Sequence, residues 1–182
     1  MNVDNKIFDF AYMMAFRDAT MRNAFPRRVG EEDGDFHDRK EIHDYINAIM
    51  KIAGQDNQLE VLGIIKALCD EENTDCGFTF GNAQKLVNMT AKYMFLSTYG
   101  DEQKGELFGK CHFPMDGVMM EWVTKHCADY GLESVTFKVP WSKLKNDDES
   151  LAVYNTFQDY IDRIANKEDV SVIEVDFIFW DE

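Results

Sequence analysis

Three observations predict a mainly α domain (α+β), with a helical core of about five to six helices and a C-terminal β-α-β element. Apolar residues recur at i, i+3 and i+4 through most of the first 130 positions, the pattern of helices with one buried face. The period changes to two at Val135, Phe137 and Val139, and again toward Trp180, as half-buried strands require. Hydrophobic residues make up 45% of the 182 and there are only three prolines, enough apolar content for one core and few built-in breaks. The expected organisation is a single domain, residues 1–182, with a helical part at 1–130 and a β-α-β part at 131–182.

Residues 5–24 read as the first helix. Ile7, Phe8, Ala11, Met14 and Ala15 share a face, Asp18 and Arg22 form an i, i+4 pair, and Phe25-Pro26 ends it. Residues 27–35, rich in glycine and acid, make a loop. A second helix runs from about Phe36 to Ala53 on Ile42, Tyr45, Ile46, Ile49 and Ile52, and Gly54 stops it. A third, from Gln58 to Glu72, buries Leu59, Leu62, Ile65, Leu68 and Cys69.

The fourth helix starts at Thr79 or Gly81 and reaches Thr98, with Phe80, Ala83, Leu86, Val87, Thr90 and Met94 inward. Gln84, Lys85, Asn88 and Lys92 line its other side, expected as a solvated face or a contact surface. A turn at Gly100-Asp101 and a short amphipathic piece to Phe108 lead to His112-Phe113-Pro114-Met115-Asp116. Proline disfavours helix before it, so Asp116 is placed to N-cap a helix to about Tyr130 that buries Met119, Trp122 and Val123. A strand from Glu133 to Val139, a helix from Ser150 to Asn166 and a strand from Val170 to Trp180 complete the chain. Two strands alone leave open edges, so the C-terminal strand is an expected route to a homodimer.

The formal net charge is −15, and it is unevenly spread. Residues 1–30 sum to +2, 31–76 to −9, 77–145 to +1 and 146–182 to −9. A field of this sign repels phosphate backbones and attracts basic grooves. The partner-binding candidates are therefore Glu31, Glu32, Asp33, Asp35, Asp70, Glu71, Glu72 and Asp75 in the first block, and Asp147, Asp148 and Glu149 in the second. The expected partner is a basic protein, with no direct binding of duplex DNA by the chain alone. The opening MNVDNKIFDF lacks the basic and apolar regions of a signal peptide, and no apolar run reaches a membrane span, so a cytoplasmic protein of a bacterial cell, not bound to membrane, is expected.

Catalytic signatures are few. There is no G-x-S-x-G, phosphate-cradling glycine loop or H-E-x-x-H. Four cysteines are too sparse for a disulfide scaffold, and Cys111-His112 with His126-Cys127 lack the spacing that lets one turn present two zinc ligands. His37 and His43 fall on nearly opposite azimuths, so neither metal nor cofactor is expected. Cys111 beside His112 is the one cysteine-nucleophile candidate, and adjacent side chains point apart on an extended backbone.

Lys85 on an amphipathic helix, followed by an aromatic-Pro-x-Asp loop in which Asp116 opens the next helix, resembles the lysine and aspartate arrangement of helix-hairpin-helix DNA glycosylases. The resemblance covers Thr79 to Trp122. It implies that Lys85 attacks the sugar carbon and Asp116 supports the developing charge. The separation of the two is wider than in most branches and nearer that of the archaeal 8-oxoguanine glycosylases. Phe78-Thr79-Phe80-Gly81 stands where that family has Leu-Pro-Gly-x-Gly.

The two acid blocks, the size of the chain and the segment GNAQKLVNMTAKYMF make it similar to small acidic type II anti-CRISPR proteins of phages and mobile elements. That likeness implies a non-enzymatic inhibitor of the guide-RNA-loaded type II CRISPR effector nuclease, one that blocks DNA binding or cleavage from its positively charged channel. The leading expectation is this inhibitor. A glycosylase or lyase using Lys85 and Asp116 is the second, and an interaction protein of a bacterial or phage operon the third.

Overall fold

The computed structural model describes residues 3–20, 57–69, 78–100, 108–109 and 111–181. Within them the elements are α1 (Val3–Thr20), α2 (Asn57–Leu68), α3 (Phe80–Ser97), α4 (Gly117–His126), a 3-10 turn (Trp141–Lys143), α5 (Asp148–Glu168) and α6 (Val175–Asp181). The second expected helix, Phe36 to Ala53, and the amphipathic piece after Gly100-Asp101 lie outside the described residues, as do His37 and His43, apart from the end of that piece at Phe108.

The architecture is built around α3. All residues from Phe80 to Ala91 are buried, on every side of the helix. A helix enclosed all round occupies the middle of a domain, and here α1 and α2 pack against it while the 3-10 turn closes on its first residues. From α1 come Phe8, Tyr12, Ala15, Phe16 and Ala19, from α2 Val61, Ile64, Ile65 and Leu68. Tyr93 on α3 donates to Asp18 Oδ2 on α1 at 2.6 Å, so the Asp18 carboxylate anchors a tertiary contact, and its expected partner Arg22 lies outside the described residues. The core continues through Trp122 and Val123 of α4 and Tyr154, Phe157, Ile161 and Ile164 of α5 to Val175 of α6.

The polar row on α3 is the first correction. Gln84 and Asn88 are fully buried, Lys85 nearly so, and Lys92 is half-buried. They form neither a wet face nor a free contact surface. Their polar atoms meet partners from loops and helices far along the chain, which supply the hydrogen bonds that water would otherwise make.

The β-α-β element is the second correction. Among the described residues there is no strand. Residues 132–140 form neither helix nor strand, and their burial alternates as expected, with Val135, Phe137 and Val139 half-buried and Thr136 and Lys138 exposed. The surface they alternate against is α5: the Phe137 and Phe157 rings lie 5.8 Å apart, and Tyr160 Oη donates to Glu133 O at 2.9 Å. Period two reports a chain lying on an apolar surface, and a helix serves as well as a neighbouring strand.

Val170 to Trp180 fails for a different reason. Glu174 Oε2 accepts from Ser171 N–H at 2.8 Å, a tight turn forms, and α6 follows. Val175, Ile178 and Phe179 are also an i, i+3, i+4 set, so this stretch satisfies both periods. With no second strand to pair with, a helix is the form that bonds its own backbone. The strand on which a homodimer was expected is therefore absent.

Candidate functional site: the Lys85–Asp116 pair and its polar clamp

Two segments converge at the site, and local sequence explains both. Thr79 caps α3 by accepting from Asn82 N–H at 3.2 Å, which starts the helix one turn before Gln84 and Lys85. Across from it, residues 111–116 run extended through Pro114 and end at Asp116, whose Oδ1 accepts from Met119 N–H at 2.9 Å and caps α4. The predicted N-cap is present.

The extended segment is held by side-chain amides. Gln158 of α5 bonds both polar groups of Phe113: Oε1 accepts from its N–H at 2.9 Å and Nε2 donates to its C=O at 2.8 Å. Gln84 of α3 does the same to Met115, accepting at 3.1 Å and donating at 2.7 Å. Each glutamine mimics one rung of a β ladder, pairing with the N–H and C=O of a single residue, and the two residues held, Phe113 and Met115, alternate along the segment. Asn88 joins them, its Nδ2 reaching Tyr154 Oη at 2.9 Å, Gln84 Oε1 at 3.2 Å and Phe113 O at 3.3 Å. Its Oδ1 is buried and has no partner.

Two carbonyl oxygens face the amide nitrogen of Asn88, which sets the orientation of that amide. Tyr154 Oη, which also meets that nitrogen, lies 2.8 Å from His112 Nδ1. Burial pushes the His112 pKa down to about 4 and keeps the ring neutral. The Tyr154 phenol is pushed well up, again by burial first.

At the end of the clamped segment, Asp116 Oδ2 lies 2.6 Å from Lys85 Nζ. The two carboxylate oxygens thus divide their work, one on the helix cap and one on the ammonium. Lys85 retains 9% of its side-chain exposure and Asp116 27%, so the pair opens on the aspartate side. The Trp141 ring covers the lysine, its centroid 5.9 Å from Nζ. Gly81 makes that cover fit: its N–H donates to Leu144 O at 3.2 Å, and a Cβ there would collide with the Trp141 carbonyl oxygen.

The other candidates are not gathered here. Glu31, Glu32, Asp33, Asp35, Asp70, Glu71, Glu72 and Asp75 lie outside the described residues. Asp147, Asp148 and Glu149 are exposed at the start of α5. Asp147 is its N-cap, accepting from Ser150 N–H at 2.8 Å, a bond that holds its carboxyl below the usual range. Lys92 pairs with Asp176 of α6 at 2.7 Å. Cys111 is buried with its thiol pushed up to about 12, and His112 points its Nδ1 at Tyr154, so the two are no nucleophile and base. Among the described residues no cluster of three His, Cys, Asp or Glu side chains could hold a metal ion.

Sequence reasoning gave Gln158 and Trp141 no role, read Tyr154 only as an inward residue of its helix, and placed Gln84 and Asn88 on the wrong side. The one available signal was the i, i+4 spacing of Gln84 and Asn88 around a lysine. No family model, curated protein or solved structure matches the chain.

Chemically, a lysine amine touching a carboxylate is equipped for attack on an electrophilic carbon. Loss of the ammonium proton frees the lone pair, and the aspartate balances the positive charge that the resulting iminium carries.

Proposed function

We propose that the chain is a lysine-dependent glycosylase or lyase acting on damaged or abasic nucleotides in DNA, with Lys85 as nucleophile and Asp116 as its charge partner. The single observation that carries the reading is the 2.6 Å contact between Lys85 Nζ and Asp116 Oδ2. A partly buried ion pair is weak support for stability, because desolvation offsets the attraction. Its geometry is nonetheless fixed by two bidentate glutamines, which is how a reacting pair is held to its productive arrangement.

On a damaged nucleotide the Nζ lone pair forms a bond to C1′ while the C1′–base bond breaks, and the base leaves with that electron pair and takes up a proton. Opening of the sugar ring then gives an iminium. On an abasic aldehyde the same iminium forms with loss of water. Removal of a C2′ proton, with departure of the 3′ phosphate, completes the lyase step, and hydrolysis of the imine returns the free amine. Asp116 stands against the cationic nitrogen throughout.

The charge of −15 makes phosphate binding weak, and the site sits in the stretch that sums to +1, with Lys143 and Lys145 exposed beside Trp141. Activity is accordingly expected at low ionic strength. Borohydride added to protein and an abasic or lesion-bearing duplex should trap a covalent adduct. Loss of the adduct in Lys85→Ala supports the assignment, and an adduct of equal yield removes Lys85 as nucleophile.

The uneven charge favours a second reading: an acidic inhibitor that occupies the positive channel of an RNA-guided type II CRISPR nuclease. Pull-down with the guide-loaded nuclease and a cleavage assay over a salt series test it. Absence of binding at low salt contradicts it.

A further inference from the structure

We propose that Trp141 is a gate over Lys85, and that the 3-10 turn Trp141–Lys143 must lift before the amine meets a substrate. This rests on the lysine-dependent reading of the same site. Three observations carry it. The Trp141 ring lies over the amine, its centroid 5.9 Å from Nζ, and Lys85 retains 9% of its side-chain exposure against 27% for Asp116. The turn that carries Trp141 is three residues long, held by its own backbone bonds Lys143 N–H to Pro140 O and Leu144 N–H to Trp141 O, and joined to the core at the buried Leu144, about which it would lift. Its closed position depends on Gly81, whose lack of a Cβ leaves room for the Trp141 carbonyl oxygen and whose N–H donates to Leu144 O.

The ring suits two states. Closed, its π face lies beside the ammonium and excludes water from the ion pair. Lifted, it leaves the amine facing solvent, and an indole at the mouth is a surface on which a nucleobase or sugar can stack. The gate explains how a lysine so covered can react at all.

The test needs no substrate. Native protein is treated with formaldehyde and cyanoborohydride, and methylation of Lys85 is read by peptide mass spectrometry as a ratio to exposed Lys125, which cancels general loosening. Trp141→Ala should raise the ratio about tenfold, Gly81→Ala should raise it by displacing the turn, and Trp141→Phe should stay near the parent. An unchanged ratio in both Trp141→Ala and Gly81→Ala overturns the gate. Because the probe is a small aldehyde, a failed gate leaves adduct formation with DNA intact, and failed adduct formation leaves the labelling result standing.

Discussion

Lys85 and Lys92 lie two turns apart on α3, and each meets an aspartate at nearly the same distance, 2.6 Å to Asp116 and 2.7 Å to Asp176. What surrounds them differs. Asp116 ends a segment whose backbone is bonded by Gln84 and Gln158, and it caps a ten-residue helix. Asp176 sits in the first turn of the seven-residue α6, where an acid also suits the helix dipole. Lys92 needs no more than its partner to close α6 onto α3. Lys85 has a partner, an amide scaffold behind that partner and an aromatic cover. The difference teaches that an ion pair becomes a candidate site through what orients it, since the pair alone is the same in both places.

Exchange at the two lysines separates them most. Lys85→Ala is expected to lower borohydride adduct yield by about a hundredfold, to background, while Lys92→Ala leaves it near the parent. Gel quantification of both variants at matched protein stability checks this. Loss of adduct in Lys92→Ala as well would erase the distinction.

The aspartates come next. Asp116→Asn keeps an N-cap acceptor and removes the charge, so adduct formation should fall while α4 persists. It should destabilise the fold by about 3 kcal/mol, the usual cost of stranding one member of a largely buried pair. Asp176→Asn should cost about as much, with no effect on the adduct. Urea melts set beside trapping yields decide both.

Gln158→Leu sharpens the scaffold half of the comparison. It leaves Phe113 N–H without a partner and its C=O with Asn88 Nδ2 alone, at a cost of about 2 kcal/mol. Adduct yield should fall with it, because the segment that delivers Asp116 is released. A loss of stability with full yield would show that the clamp supports the fold alone.

The smallest expected effect is a pH dependence. His112 titrates near 4 in the fold against 6.5 when unfolded, so the unfolded chain binds more protons between those values. Stability is then full above about pH 6.5 and lost as pH falls toward 4. Replacement by Gln should flatten that part of the profile.

The helices were legible where one face is apolar and the caps are local. α1, α2, α3, α4 and α5 follow from spacing, and the cap Asp116 from its position before an apolar run. The candidate site's ion pair was legible as two residues, Lys85 and Asp116, because both lie on patterned segments. Its scaffold was not, since Gln84, Asn88, Tyr154 and Gln158 meet the 111–116 segment across 25 to 45 residues, and a polar residue whose partner is remote looks like a solvated one. α6 was misread because Val175, Ile178 and Phe179 fit a helix while the intervening residues also fit a strand, and only the missing partner strand decides.

The central claim is that Lys85 is a reacting amine and Lys92 a structural one. Mass-spectrometric mapping of the borohydride-trapped adduct tests it most directly. The account predicts the modified peptide at Lys85 with Lys92 unmodified. An adduct on Lys92 or another lysine, or none on abasic DNA at low salt, would contradict it.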